Sequence, residues 1–452
     1  MQIAVLAGGV TYDSGSIAWT LISGALVLLM TPALAFFYGG MVRAKHVLAM
    51  LMQNFMAIAI VTLTWCVVGF SLAFGGAGKW IGDFSFFGLL DPTKAIPGIT
   101  APIPPMAFML FQMTFAIITL ALITGATADR WKFGSFVLFG SIWSILIYPT
   151  VAHWVFSPQG WLAKLGAFDF AGGTVVHINA GAAGLAMALI LGKRRGWGKE
   201  NIRGHNIPFV MLGAGLLWFG WYGFNAGSAL ATNDGNGQLA SYAFVNTTVA
   251  AAAALIGWVI WEKSRFGSAT ALGAASGAVA GLVAITPCAG FVTPLASIPI
   301  GLLAGAICAA CVKIKERLGF DDALDVVAVH LVGGIWGSLC VGLFATATIN
   351  PVLAGKGDWG LLVGGNGALL WHQLIAVVAV FAFSFIGTFI IGKVVGLIIP
   401  NRVDPETEEA GLDMGMHGES AYEFNDRPTG TGHHIDPRLL RQSDAAQEEE
   451  TV

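Results

Sequence analysis

Charge is what this chain has least of. Only 11% of its 452 residues are Asp, Glu, Lys or Arg, 56% are hydrophobic and the mean hydropathy is +0.74. A soluble domain needs about a quarter of its residues charged, so that class is excluded and a polytopic membrane protein remains. The formal net charge of −3 offers no basic face for a nucleic acid. Cysteine is scarce as well. The five present, Cys66, Cys288, Cys308, Cys311 and Cys340, are odd in number and lie in or beside apolar segments, so they describe no disulfide framework. Cys308 and Cys311 form a CxxC inside an apolar helix with no second pair, which argues against a zinc or redox role. The first residues, MQIAVLAGGVTYDSG, lack a basic stretch before an apolar core, so no cleaved signal peptide is expected.

Long apolar runs are what the chain has instead. A bilayer core takes about 20 apolar residues per helix, and eleven stretches fit: 16–38, 47–73, 103–127, 134–156, 171–192, 207–228, 239–261, 268–286, 291–312, 325–348 and 367–395. The loops between them test the count, because Lys and Arg should gather on one side. One set of alternate loops holds fourteen, including Arg43, Arg130, Lys193, Arg194, Arg195, Lys263 and Lys313; the other set holds four, Lys79, Lys94, Lys164 and Lys356. The positive-inside rule then predicts an all-α integral membrane protein with its N-terminus outside and its C-terminus cytoplasmic. Residues 1–400 form the transmembrane domain. From Asn401 the composition turns polar and charged, giving a cytoplasmic tail, 401–452, whose end QSDAAQEEETV is expected to be disordered. The segment 411–424 within it, GLDMGMHGESAYEF, is either solvated or docked on the inner face.

Ten of the eleven helices divide as five plus five. Two halves with an odd number of crossings must lie in opposite orientation, the inverted repeat of transporters whose solute site sits between the halves near the midplane. His177 falls in the fifth helix and His330 in the tenth, each a short step after aspartates, Asp169 in one case and Asp322 and Asp325 in the other. At about 1.5 Å per residue, eight residues carry each imidazole roughly 12 Å into a core about 30 Å thick, so both reach its middle from opposite sides. Ionisable side chains there are costly and mark a pathway for a polar or protonatable solute. Two imidazoles can share a proton and offer donors and acceptors without either holding a full charge. A metal centre would want a third ligand at helical spacing, as in HxxxH or ExxH, and neither His has one. Asp169 opens the fifth helix as an N-cap, and its charge can also attract a cation at the outer mouth.

Aromatic residues gather at the same level. Phe111 and Phe115 share a face of helix three, Trp154 and Phe156 close helix four, and Phe224 ends helix six beside Ser228. Aromatic faces with one hydroxyl make a site for a small cation, at about 1 to 2 kcal/mol per partly desolvated cation–π contact. Small-residue runs such as 178–188 and 273–284 let helices pack closely.

The stretch DFAGGTVVHINAGAAGLAMALILGKR (169–194) resembles the signature of the ammonium transporter family, the Amt, MEP and Rh proteins, in its bacterial Amt form. FQMTFA (111–116), GWYGFNAGS (220–228), TPCAGFV (286–292), DVVAVHLVGGIWG (325–337) and the tail segment 411–424 are similar to the family's other landmarks in the same order, over residues 15–425. The resemblance implies ammonium transport across the plasma membrane for nitrogen uptake, with no enzymatic step and no cofactor. It implies Phe115 and Phe224 as stacked gate phenyls, Ser228 as the recruitment hydroxyl, Asp169 as the outer acidic residue, and His177, His330 and Trp221 along the pore. Where many bacterial members close the recruitment site with Trp, this chain has Phe156; Trp154 would fill that place only with helix four rotated. A homotrimer with one pore per subunit and a PII-type signalling partner are further implications. Three alternatives remain open at this point: an ammonium sensor acting through its tail, a membrane metalloenzyme, and an Rh-like carbon dioxide or ammonia channel, the last disfavoured by Ser228 and the aromatic pattern.

Overall fold

A backbone this hydrophobic has to satisfy its own N–H and C=O groups, and helices do so within each segment. The computed structural model describes residues 11–76, 78–200, 202–233, 238–353 and 359–422, and among these there is no β-strand, only an isolated bridge between Trp131 and Arg402. Ten helices are long and apolar enough to cross a membrane. In chain order they are α1 (Ser14–Met41), α2 (Ala44–Phe74), α3 (Pro105–Ala126), α4 (Phe133–Leu165), α5 (Gly173–Leu191), α6 (Ile207–Ala226), α7 (Gln238–Phe266), α9 (Pro294–Leu318), α10 (Val327–Phe344) and α11 (Ala368–Ile398). The expected span 268–286 is realised as α8 (Ala271–Ile285), an apolar helix of 15 residues. The N-terminal residues, Lys356 and the end of the tail lie outside the described residues.

Several helices are interrupted where the site is built. α4 bends at Ile147, where Pro149 has no N–H to give, and breaks at Phe156, a tight turn joining it to its last piece, 161–165. α5 and α10 both open in wide π-helical turns, 173–178 and 327–332, and α6 closes in one, 222–226. Such turns put one extra residue into the spiral and often re-aim a side chain at a functional position. Here they carry His177, His330 and Phe224.

Close helix crossings set the middle of the molecule. α5 packs against α3 and α11, and α1 against α3 and α6. At the α5–α10 crossing a Cβ on Gly181 would stand 2.6 Å from Leu331 N, and one on Gly334 would stand 3.1 Å from the His177 Cβ. Only glycine lets these two backbones approach so near, and the approach is what brings the two histidines within reach.

The loops after α1, α3, α5, α9 and α11 converge on one face. Asp129 lies between Arg43 at 3.3 Å and Arg194 at 3.6 Å, and Arg194 in turn pairs with Asp321 at 2.9 Å. Burial works against the Asp321 charge, but the Arg194 bonds win and hold it below the usual carboxylate range. The tail docks on the same face. Asp404 caps α12 (Pro405–Ala410), the buried Glu408 accepts from Arg195 N at 2.7 Å and pairs with Arg402, and Asp413 accepts from Leu48 N at 3.0 Å and Ala49 N at 2.8 Å. The tail is therefore docked as far as Tyr422, whose hydroxyl meets His205 Nε2 at 2.8 Å; Glu423 and Phe424 lie outside the described residues.

Candidate functional site

The local chemistry of the helix starts decides where the histidines point. An α-helix leaves its first four N–H groups without partners. At α5 the carboxylate of Asp169 takes them up: it accepts from Gly172 N at 2.7 Å, Gly173 N at 2.8 Å and Thr174 N at 2.7 Å, and from the Thr174 hydroxyl. Gly172, with φ of +116°, supplies the left-handed turn that makes this possible. At α10 the same work is done by Asp322, which accepts from Val326 N at 3.1 Å and Val327 N at 2.7 Å. Asp325, the nearer aspartate in sequence, is instead turned away at φ of +62° and paired with Lys315 at 2.5 Å. The symmetric pairs are thus Asp169 with His177 and Asp322 with His330. A signal for this was in the sequence, since each of those aspartates precedes its histidine by eight residues.

Both imidazoles are buried, at 1% and 3% exposure, and their Nδ1 atoms face each other at 3.3 Å. The rings are 5.4 Å apart at an angle of 26°. His177 Nε2 is buried without a hydrogen-bond partner. His177 and His330 line a narrow cavity of about 10 Å³ whose other walls, apart from Trp221, are apolar: Met30, Leu34, Ile118, Leu122, Leu217 and Val279 among them. Trp221 lies along His177 at 5.5 Å, held by its Nε1–H on the Thr286 hydroxyl at 2.8 Å. Thr286 and the aliphatic lining carry no sequence signature, because an apolar residue in a membrane helix looks the same facing lipid or cavity.

On one side of His177, Phe115 and Phe224 stack at 4.1 Å and 23°, with the Phe224 ring 6.0 Å from the His177 ring. Phe111 meets Phe115 at 4.9 Å, and Phe156 meets it edge-on at 6.4 Å. Stacked and edge-on pairs of this kind contribute about 0.5–1.5 kcal/mol each beyond their buried area. Trp154 is committed elsewhere, donating from Nε1 to Trp80 O at 2.7 Å and packing on Phe383 at 4.7 Å. Ser228 is half-buried and its hydroxyl donates to Phe224 O at 2.8 Å, so its oxygen remains free to accept.

The expected residues Phe115, Phe156, Phe224, His177, His330 and Trp221 are therefore brought together in one continuous row of rings, with Ser228 beside Phe224. Asp169 belongs to the same region through the start of α5, but its oxygens are spent on that helix. Among the described residues no group of three His, Cys, Asp or Glu side chains is placed to hold a metal ion.

Residues 18–422 match the Ammonium Transporter Family. The chain belongs to that family. It is 48% identical to the ammonium transporter of Mycobacterium tuberculosis strain H37Rv, over 94% of this chain and 93% of the other. It is 49% identical to that of Bacillus subtilis strain 168, over 88% and 96%. Among solved structures it is similar to Candida albicans Mep2, with 33% identity, a TM-score of 0.82 and coverage of 94% of both chains. A second, a sensor Amt protein, has 31% identity, a TM-score of 0.80 and coverage of 89% and 98%. This membership and the apolar helices make the chain a multi-pass membrane protein and support ammonium transport; its relatives carry the name of transporters, not enzymes.

Proposed function

We propose that the chain takes up ammonium at the aromatic outer site, removes its proton there, and conducts neutral ammonia past the histidine pair. The observation that carries this reading is that pair, Nδ1 to Nδ1 at 3.3 Å, bordering an apolar cavity with His177 Nε2 unpartnered. Moving a bare ammonium ion into such surroundings costs on the order of 20 kcal/mol by the Born estimate and several kcal/mol after relaxation. Ammonia escapes most of that cost and needs only a donor or acceptor along the way, which an imidazole edge supplies.

Phe115, Phe156, Phe224 and Ser228 receive the cation in this account, through ring faces and the accepting hydroxyl. An ammonium ion can donate a directed hydrogen bond to Ser228 and then lose a proton; a potassium ion can do neither. Asp169 acts by its charge and by fixing the start of α5, not by direct contact. Trp221 holds the His177 ring flat against the conduit. Growth of a transport-deficient strain on low ammonium, with methylammonium as competitor, tests the assignment; failure to rescue growth contradicts it. Charge movement on solid-supported membranes after ammonium pulses tests the proton's route. Uptake without any charge displacement rejects a proton that follows the ammonia.

The same proposal includes eleven crossings with the N-terminus outside and the tail inside, in the plasma membrane. The ion pair between Arg194, just after α5, and Asp321, just after α9, supports the count. It requires that the four helices between return the chain to the same face, so α8 must reverse it. At about 22 Å α8 is shorter than the hydrocarbon core, which is tolerable because most of its residues are covered by protein. A homotrimer and a PII-type partner on the inner face belong to the same proposal, with family membership as their support; native mass spectrometry of the purified protein, with and without a PII protein, tests both.

A further inference from the structure

His153 lies outside the pore described above, on the turn of α4 just before its break at Phe156, and is fully buried. Its Nδ1 is 2.8 Å from Ala73 O and its Nε2 is 2.6 Å from Gly78 O. A carbonyl oxygen has no hydrogen to give, so each ring nitrogen must be the donor. A neutral imidazole carries one N–H and would leave one of these carbonyls facing a lone pair. We infer that His153 is a buried imidazolium that clamps the end of α2 and the outer loop onto α4 and thereby positions Phe156, one turn further on, in the recruitment site.

The surroundings suit a cation. Ala73 O belongs to the last turn of α2, where carbonyls lack helical partners and the helix end is negative. Among the described residues no carboxylate pairs with the ring, so the two carbonyls carry the whole interaction. The charged groups on the elements packed around it are engaged elsewhere: on the outer loop Asp83 accepts from Ser85 N, and Lys79 lies over the Trp80 ring at 5.2 Å. Near the end of α4 Lys164 donates to Gln159. The clamp also fixes the chain beyond Phe156. Ser157 N reaches back to Ala152 O, and Gly160 passes so close to the His153 and Trp154 carbonyls that a side chain there has no room. Phe156 is thus held between a turn with no slack and a histidine bonded on both sides.

The first test needs no variant and no transport. In protein labelled with ¹⁵N-histidine and with ¹³C at glycine carbonyls, magnetisation transfer from the Gly78 carbonyl selects His153 by solid-state NMR. Both ring nitrogens are expected at protonated chemical shifts at neutral pH, and an unprotonated nitrogen overturns the inference. The positioning role rests on the recruitment site proposed above and has its own measurement. His153→Gln is expected to raise the half-saturation concentration for ammonium several-fold with little change in maximal rate. An unchanged half-saturation, or a lost maximal rate alone, rejects the role even if the NMR result stands.

Discussion

Asp322 is a carboxyl group sealed at the start of α10, and burial pushes it up to about 6 even though Lys315 and two backbone N–H groups pull the other way. A folded value above the unfolded one, near 3.9, means that folding favours the protonated form. The associated stability is complete below about pH 4 and is lost as pH rises through about 6, on the order of 3 kcal/mol in all. Asp322→Asn keeps an acceptor but cannot ionise. Melting curves of the two proteins should therefore diverge as pH rises across that window, with wild type losing ground to the variant. Parallel profiles would show that the carboxyl is not buried as described. The residue level was partly legible in the sequence. The two histidines stood out because ionisable groups are rare in hydrocarbon, and the phenyls because they recur at one depth. Asp322 was overshadowed by the nearer Asp325, since only the backbone turn at φ of +62° reveals that Asp325 faces Lys315.

Helix starts and crossings determine how well the imidazoles meet. Hydropathy gave the rough place of the apolar helices, because burying a backbone in lipid demands length and little else; ten of the eleven expected spans are long enough to cross. It did not reveal the π-helical turns under His177, His330 and Phe224, the bend at Ile147, or the shortness of α8, which depend on packing between helices far apart in sequence. The α5–α10 crossing carries a sharp consequence. A Cβ on Gly181 would stand 2.6 Å from Leu331 N, too close for atoms that cannot move independently of the helix. Gly181→Ala should push α10 away from α5, cost about 1–3 kcal/mol as an overpacking change, and separate the histidine nitrogens. Reduced uptake together with a lower melting temperature is the expected outcome. Full activity and unchanged stability would mean that the crossing is looser than described.

The whole molecule closes through one face, where five loops and the tail share ion pairs and caps. The basic character of those loops was visible in the sequence; the docking of the tail was not, because GLDMGMHGESAYEF reads equally as solvated or bound until Asp413 is seen on the N–H groups of Leu48 and Ala49. Asp413→Ala removes that cap from α2. Hydrogen exchange at 44–49 should accelerate, and exchange in α3 and α5 should stay near wild type; uniform exchange across the protein would contradict a local cap.

Uptake of ammonium into proteoliposomes by wild type and by the double variant His177→Ala, His330→Ala tests the central claim most directly, with potassium and methylammonium as competitors. If two imidazoles make an apolar conduit passable for ammonia, the double variant should lose most of its uptake or lose its preference for ammonium over potassium. Ammonium-specific uptake at the wild-type rate in that variant would contradict the account.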